Sequence, residues 1–276
     1  MKHDHFTFIQ LTYPTKHVAL ITFNRPEKLN ALSEDMQNEL ILALDNVNQD
    51  DDVRVVMFTG SGDKAFVAGA DINEYRGLQI KKFNDYQLQG RKAFETIEQL
   101  PKPTIALVNG YAMGGGFEIA LACDLMIVAS NAQMGLPEGL LGLCPGGGGT
   151  QRLLRAVGKA VTLDVLLSAK RIKADEALRL GLASHICSQD NLMPEGLKKA
   201  SYLLKVSPTA QAAMKKLVRN GFDTPLESGL SWEQAELLQL YCSADGQEGV
   251  SAFLDKRTAS FDMSSEIIAS TGANNE

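Results

Sequence analysis

The chain has 276 residues, of which 45% are hydrophobic and 22% are charged. This balance is typical of a folded globular protein with one large domain, or a domain and a smaller appendage, and it excludes a disordered or fibrous chain. The 27 basic and 33 acidic residues give a formal net charge of −6, which argues against nucleic acid as the main partner. No apolar run is long enough to span a membrane, so we expect no membrane partner either.

The N-terminal residues lack the apolar core of a signal peptide and the arginine-rich character of a transit sequence. Three of the four histidines lie in the first 17 residues, which leaves little basis for a metal cluster. The cysteines have no CxxC spacing, so the pattern predicts neither a disulfide framework nor a zinc site. These cysteines are Cys123, Cys144, Cys187 and Cys242. We therefore expect a cytoplasmic protein that binds no metal.

The first half of the chain alternates between strand and helix patterns. Val18–Phe23 is a short apolar run that predicts a buried strand, and Pro26 then prevents further pairing. Ser33 is placed to cap a helix, whose apolar positions then recur at helical spacing. Those positions are Met36, Leu40, Leu44 and Val47. Further strands are predicted at 53–59, 104–109 and 125–129, with a helix at 81–100. This alternation favours an α/β fold.

Beyond Gly149 strand patterns nearly disappear and helical patterns dominate. The predicted helices are 151–157, 163–169, 174–180, 197–206, 208–219 and 231–241. We therefore predict an α/β core over residues 1–200 and a helical region over 201–263. A flexible tail is expected at 264–276.

The segment GGGFEIALA, residues 114–122, places three glycines before a single glutamate in an otherwise apolar helix. The free amides at a helix start can stabilise negative charge that develops on an oxygen. A second amide donor is available in the glycine-containing loop at 69–71, and Glu118 then lies in the first turn beside both donors. Such a carboxyl is suited to acid/base work next to a polarised carbonyl.

A second carboxylate, Glu138, follows twenty residues later between glycine and proline residues. Two carboxylates at one site raise each other's pKa and can divide acid and base roles. By itself, however, a glutamate in a first helical turn is often only a favourable partner of the helix dipole. Neither the glycine run at 114–116 nor a second run at 146–149 fits G-x-G-x-x-G, and neither a P-loop nor a G-x-S-x-G elbow occurs.

Several separated motifs together resemble one family, the crotonase or enoyl-CoA hydratase/isomerase superfamily. They are NRPEKLNAL at 24–32, FVAGADI at 66–72, the run from Lys102-Pro103 to Cys123-Asp124, the run from Pro137-Glu138 to PGGGGTQRL at 145–153, and EGVSAFLDKR at 248–257. The resemblance covers almost the whole chain, from about residue 6 to 261. It implies a spiral of repeated strand–strand–helix units, followed by a helical C-terminal region that forms homotrimers, often paired into hexamers.

The resemblance also implies the chemistry. The substrate is an acyl-CoA thioester, with no further cofactor, and its carbonyl oxygen is held by the backbone amides of Ala70 and Gly115. Glu118 activates a water and Glu138 exchanges a proton with the α carbon, although the acid and base labels stay open because the pair titrates together. The expected reaction is reversible syn addition of water to a trans-2-enoyl-CoA in fatty-acid β-oxidation.

Further contacts follow from the same resemblance. Substrate-binding residues are expected at Ala68, Asp71, Ile72 and Gly146. Arg25, Lys28 and Lys256 are candidate partners of the coenzyme phosphates, with solvated surface cations as the alternative. Phe253 packs on the cofactor or acyl chain, or is an aromatic residue at a helix contact.

Three other functions remain open at this level. They are a double-bond isomerase, a hydratase of a branched or substituted acyl-CoA, and an acyl-CoA- or RNA-binding protein without catalysis. Glu118 disfavours an isomerase, and the absence of a lysine-rich helix disfavours RNA binding. Tail specificity is expected to depend on residues 74–91 and the C-terminal helices.

Overall fold

A computed structural model describes residues 6–261 of the chain. The predicted tail at 264–276 lies outside the described residues. The strands in this range are β1 (Ile9–Thr15), β2 (Val18–Phe23), β3 (Val55–Gly60), β4 (Ala65–Val67), β5 (Thr104–Val108), β6 (Tyr111–Met113), β7 (Leu125–Ala129), β8 (Gln133–Gly135), β9 (Ile172–Lys173) and β10 (His185–Cys187).

The helices in the same range are α1 (Glu34–Gln49), α2 (Ile80–Gln99), α3 (Gly115–Ala122), α4 (Gly149–Ser168), α5 (Ala174–Arg179), α6 (Leu192–Leu203), α7 (Pro208–Gly221), α8 (Leu226–Cys242) and α9 (Ala244–Leu254). Short 3-10 turns occupy Pro26–Lys28, Ile72–Tyr75, Pro137–Leu141 and Gln189–Asn191. No helix within residues 6–261 has the length and apolar character needed to cross a membrane.

The strands form two sheets, and the strands from β3 to β8 alternate between them along the chain. The larger sheet has the order β1-β2-β3-β5-β7-β10 and the smaller sheet has the order β4-β6-β8-β9. Three successive units, β3-β4-α2, β5-β6-α3 and β7-β8-α4, each give one strand to each sheet before a helix. This is the predicted spiral of repeated strand–strand–helix units, so the fold class is confirmed.

The spiral brings three loops together. β4, β6 and β8 are parallel neighbours, and their carboxyl ends therefore lie side by side. Residues 68–72 follow β4, residues 114–118 follow β6, and residues 136–138 follow β8. The glycine loop, the start of α3 and the turn with Glu138 thus meet at one edge of the smaller sheet.

Several predicted elements are present with small shifts at their ends. The Ser33 hydroxyl accepts a hydrogen bond from the Met36 amide, which caps α1 as expected. The predicted core face of α1 is fully buried, as the 0% exposure of Met36, Leu40, Leu44 and Val47 shows. Two predicted helices, 151–157 and 163–169, belong to α4, whose backbone is non-helical at Gly158.

The chain divides into two compact units, one through Ser201 and one from Tyr202. The second unit contains α7, α8 and α9. Within it, the buried Asp245 carboxylate accepts hydrogen bonds from the hydroxyls of Ser207 at 2.6 Å and Thr209 at 2.8 Å. This contact fixes the start of α9 against the start of α7.

Asn109 joins the turns that connect the two sheets. Its side-chain nitrogen donates to the carbonyls of Gly60, Gly62 and Ala65, and its oxygen accepts the Gly60 amide. Asn109 is 5% exposed, and its hydrogen bonds with Gly60 and Ala65 are buried, so these two residues have little access to water as an alternative partner. The side chain therefore holds the β3–β4 turn, which leads into the loop at 68–72.

We expect Asn109→Ala to lower the free energy of unfolding by about 1–3 kcal/mol, because it removes the side-chain partner of both the buried amide and the buried carbonyl of Gly60. Denaturant unfolding followed by circular dichroism measures this loss. Asn48→Ala, at an exposed position of α1, is the matched control and should change stability much less. Equal effects of the two substitutions would contradict a structural role for the Asn109 network.

Candidate active site

A cavity of about 490 Å³ lies at the edge where the three loops meet. One wall is formed by α2 and the others by the loop after β4, the start of α3 and the segment from Pro137 to Gly147. The cavity brings together most of the residues singled out from the sequence. Those that line it are Ala68, Ala70, Ile72, Gly115, Glu118, Glu138 and Gly146.

Gly114 connects the start of α3 to the turn that contains Glu138. Its φ of 50° and ψ of −124° are accessible to glycine but strained for other residues. A Cβ at this position would lie 2.9 Å from Oε1 of Glu138, so the carboxylate packs directly on the backbone. The Gly114 amide also donates to the Gly135 carbonyl at 2.9 Å, which holds the end of β8 against the start of α3.

The loops that hold Ala70 and Gly115 are in contact. Leu32 donates to the Gly69 carbonyl and accepts from the Asp71 amide, both at 2.8 Å, which fixes the backbone around Ala70. The Gly69 Cα lies 3.8 Å from the position of a Cβ on Gly114. Gly115 is the first residue of α3, where amides have no acceptor within the helix. The backbones of Ala70 and Gly115 therefore lie on the same part of the cavity wall.

Glu118 is held by the glycine run at the start of α4. Its Oε1 accepts hydrogen bonds from the amides of Gly147 at 2.8 Å and Gly149 at 2.7 Å, and the residue is only 3% exposed. A Cβ on Gly147 would lie 2.4 Å from the Phe94 ring and 2.8 Å from Oε2 of Glu118. The run therefore has to be glycine-rich, since it wraps closely around a buried carboxylate.

Arg152 fixes this glycine run from the other side. Its guanidinium donates to the Gly147 carbonyl at 2.6 Å and to the Glu98 carboxylate at 2.8 Å. The arginine thus connects α4, the run and α2. Burial has the largest effect on the pKa of Glu118 and raises it. The two amides and the positive charge of Arg152 lower this pKa, but it stays above the ordinary value for a glutamate.

Glu138 is in an environment that favours its protonated form. Burial is the main cause that raises its pKa, and the charge of Glu118 raises it further, while its own backbone amide lowers it. The resulting pKa is about 7, so the carboxyl is part-protonated near neutral pH. Its Oε2 is buried and has no hydrogen-bond partner among the described residues.

Comparison with known proteins identifies the family of this chain. The enoyl-CoA hydratase/isomerase family model matches residues 14–264. The chain belongs to this family.

Relatives in the family cover most of the chain. A crotonyl-CoA hydratase of Syntrophomonas wolfei is 41% identical over 88% of this chain and 94% of its own. A short-chain-enoyl-CoA hydratase of Clostridium acetobutylicum is 39% identical over 87% of this chain and 92% of its own. A crystal structure of enoyl-CoA hydratase from Bacillus anthracis superposes with a TM-score of 0.90 at 36% identity, covering 93% of this chain and all of that one.

Some residues that the family resemblance assigned to substrate lie outside the lining of the cavity. Arg25 donates to the Ala31 carbonyl at 3.1 Å and to the Asp71 carboxylate at 2.9 Å. Asp71 also accepts from the Asn73 amide and so begins the 3-10 turn after the loop. Lys28 is exposed on the surface. The coenzyme contacts of Arg25 and Lys28 and the substrate contact of Asp71 stay predictions.

Phe253 and Lys256 belong to the second unit and also stay predictions. Phe253 is 83% exposed at the end of α9, so within this unit it is not the buried aromatic considered as the alternative. Lys256 follows that helix with a positive φ of 55°.

Sequence reasoning missed several residues that surround the two carboxyls. Tyr75 lines the cavity together with Glu118 and Glu138, and its pKa is raised by burial and also by the charges of these two carboxyls. The Gln87 amide donates to that hydroxyl at 2.8 Å. Gln87 lies one helical turn from both Phe83 and Arg91 on α2, and this spacing was the signal in the sequence that could have placed it on the same side of the helix as these two residues. Among residues 6–261, no group of three or more possible metal ligands is present.

The raised pKa of Glu138 has a consequence for stability. Between the ordinary pKa of 4.5 and about 7, the folded state holds a proton that the unfolded chain releases. Stability therefore falls as pH rises through this window. Glu138→Gln removes the titration, so we expect the variant to be more stable than the wild type at pH 8 by about 1–2 kcal/mol, a value reduced for partial solvent screening.

Thermal unfolding at pH 5 and pH 8 measures this difference, which should shrink at the lower pH. Glu27→Gln, whose side chain is 67% exposed, is the matched control and should follow the wild type. A constant gap between Glu138→Gln and wild type at both pH values would show that the carboxyl does not titrate as described.

Proposed function

We propose that this protein is an enoyl-CoA hydratase that adds water reversibly to a trans-2-enoyl-CoA and gives a 3-hydroxyacyl-CoA. The observation that supports it most directly is the position of Glu118 and Glu138 on one cavity, together with the backbone of Ala70 and Gly115. The names of the relatives from Syntrophomonas and Clostridium agree with this reaction.

In the proposed mechanism the thioester carbonyl oxygen accepts hydrogen bonds from the amides of Ala70 and Gly115. Addition of oxygen to the β carbon shifts negative charge onto this oxygen in an enolate-like state. Fixed amide donors stabilise such charge without reorganising, and a single donor is typically worth about 100- to 1,000-fold in rate. The dipole of α3 contributes in the same direction, because Gly115 lies at its positive end.

Glu118 is suited to bind and deprotonate the water. Two backbone amides fix its Oε1, so the carboxylate has one orientation, and Oε2 is the oxygen left to accept a hydrogen bond from water. The nearby Arg152 charge and the two amides stabilise the ionised form that a base requires. The C–O bond then forms at the β carbon as the water proton passes to Glu118.

Glu138 is suited to supply the other proton. With a pKa of about 7 and a buried oxygen to which no group within residues 6–261 donates, it holds a proton near neutral pH. Transfer of this proton to the α carbon completes the addition, and a proton exchange between the two carboxyls restores the starting state. Water thus supplies both the hydroxyl and the hydrogen, and no cofactor other than the coenzyme A of the substrate is required.

The wider assignments are also proposals. Exposed apolar side chains on the helices of the second unit, including Leu226, Trp232, Leu237 and Phe253, support a homotrimer or a hexamer in which other copies cover them. Fatty-acid β-oxidation in the cytoplasm fits the bacterial relatives named above.

We expect Glu118→Gln and Glu138→Gln each to lower kcat for crotonyl-CoA by about 100- to 10,000-fold, because each loses one proton-transfer group. Loss of the conjugated thioester absorbance measures the rate, and chromatography identifies 3-hydroxybutyryl-CoA. Glu27→Gln should keep wild-type activity. An isomerase would instead convert 3-enoyl-CoA without hydration and would depend mainly on Glu138. Wild-type activity in either Glu118→Gln or Glu138→Gln would contradict the mechanism.

The pKa of Glu138 also predicts a pH dependence. Since hydration requires the protonated acid, kcat/KM should fall about tenfold per pH unit above the pKa of roughly 7. Values of kcat/KM measured with crotonyl-CoA over pH 5 to 9 test this decrease. The residual activity of Glu138→Gln should not decrease in this way. A wild-type pH profile that stays flat to pH 9 would show that another group is the proton donor.

A further inference from the structure

Arg25 connects the segment before α1 to the loop after β4. Its guanidinium donates to the Ala31 carbonyl at 3.1 Å and to the Asp71 carboxylate at 2.9 Å. The side chains of Arg25 and Asp71 are only 16% and 11% exposed, so this ion pair is largely shielded from water. Ala31 precedes Leu32, and Asp71 follows Ala70. The arginine therefore joins the two segments at the point where Leu32 pairs with Ala70.

The pairing of Leu32 with Ala70 is a single parallel bridge outside the named strands. The Leu32 amide donates to the Gly69 carbonyl, and the Asp71 amide donates to the Leu32 carbonyl, both at 2.8 Å. Because the residues on both sides of Ala70 bond to Leu32, the N–H of Ala70 itself is directed away from Leu32. Among residues 6–261 this amide has no hydrogen-bond acceptor, and Ala70 lines the cavity. The amide is therefore available to a ligand.

A bridge of two hydrogen bonds needs further contacts to keep its register. On the Gly69 side, the Ala68 amide donates to the Leu29 carbonyl at 3.0 Å. On the Asp71 side, the ion pair with Arg25 supplies a contact. A shift of the chain at Asp71 would turn the peptide groups on both sides of the bridge, since successive N–H groups of an extended segment point in opposite directions. The ion pair thus restrains the direction of the free amide.

Arg25 is itself fixed by Asn30. The Arg25 amide donates to Oδ1 of Asn30, and the Asn30 amide donates to the Arg25 carbonyl, both at 2.9 Å. Asn30 is fully buried, and its side-chain nitrogen donates to the carbonyls of Ser61 at 3.0 Å and Ala65 at 2.9 Å. The arginine is therefore anchored on the same β3–β4 turn that Asn109 holds.

The guanidinium of Arg25 has little capacity left for another partner. Two of its nitrogens make the hydrogen bonds described above, and Nε lies 4.0 Å from the Glu27 carboxylate. Its Cζ lies 5.7 Å from the centre of the Phe8 ring. Each nitrogen therefore already faces a group of this chain, which favours an internal role over a contact with a coenzyme phosphate.

We propose that Arg25 is a positioning residue that orients the Ala70 amide toward the thioester carbonyl oxygen through its ion pair with Asp71. The inference rests on the proposed enoyl-CoA site and names the residues that hold one of its two donors. In this role Arg25 touches no reacting atom. It replaces the phosphate contact that the family resemblance suggested for this residue.

The thioester carbonyl of bound butyryl-CoA reports on the donors directly. Hydrogen bonds to this oxygen lower its stretching frequency, which infrared difference spectroscopy measures when the carbonyl carbon is isotopically labelled. Butyryl-CoA has no double bond to hydrate, so it stays intact. In Arg25→Gln and in Asp71→Asn, the frequency shift on binding should be smaller than in the wild type. The kcat for crotonyl-CoA should fall about tenfold or more, a part of the roughly 100- to 1,000-fold that one amide donor is worth.

Affinity for free coenzyme A separates this role from a phosphate contact. Calorimetry should give wild-type affinity for coenzyme A in Arg25→Gln, whereas loss of a phosphate contact would weaken binding about tenfold or more and leave the carbonyl shift intact. Arg25→Lys keeps the charge without the planar fork and should recover part of the shift. Arg179→Gln, the same substitution at a side chain that is 72% exposed, is the matched control and should keep all wild-type values.

The double variant Arg25→Gln/Asp71→Asn tests whether the two residues act as a pair. If they act through one ion pair, the loss of kcat in the double variant should equal the larger of the two single losses, whereas independent effects would multiply. Circular dichroism melting gives the temperature below which each variant is folded and can be compared. If Arg25→Gln does not fold, Arg25→Lys and Asp71→Asn provide the comparison.

Three results would overturn the proposal. They are a wild-type carbonyl shift in the variants of the ion pair, multiplied losses in the double variant, and the absence of any carbonyl shift in the wild type. Crotonyl-CoA turnover of the same wild-type sample tests the proposed function separately. Failure of hydration would contradict that function, while the carbonyl spectrum of bound butyryl-CoA would still decide on Arg25.

Discussion

The central constraint in this structure is the burial of the Glu118 carboxylate. A carboxylate without access to water must be compensated by hydrogen bonds or opposite charge, or it will take up a proton. Here the amides of Gly147 and Gly149 converge on one of its oxygens, and Arg152 holds the carbonyl of the same Gly147. The glycine run can approach this closely only because side chains are absent, so the packing of α2, α3 and the start of α4 depends on one buried charge.

The two-sheet spiral explains why such a site forms at this edge. Each repeat contributes a strand to the smaller sheet and then a loop, and the parallel strands bring successive loops to the same side. The loops can differ from one repeat to the next without a change in the sheets. One loop provides the Ala70 backbone, the next provides Gly115 and Glu118, and the third provides Glu138. Two carboxyls separated by twenty residues therefore share a cavity, and the charge of one raises the pKa of the other.

Much of the core architecture could be predicted from the sequence. Strong local signals came from the apolar runs of β2, β5 and β7 and from the helical periodicity of α1. The three strands are buried along almost their whole length, which requires a continuous apolar run. The three-residue strands β4, β6 and β8 were not found, because so short a segment has no measurable period. They form the sheet that positions the site. Family resemblance supplied their place in the spiral, which periodicity could not.

The amino-acid sequence by itself determined the glycines, the two glutamates and the helix start that place a carboxyl beside free amides. These features are local, because a backbone conformation or a helix dipole depends on neighbouring residues. Tertiary structure alone decided which amides bind Glu118, how Arg152 supports them, and that the pKa of Glu138 is raised to about 7. It also decided that Gln37, on a helix far from the glutamates in sequence, lines the same cavity. The reason is physical: burial and electrostatic coupling depend on distances in space, and only the folded chain sets those distances.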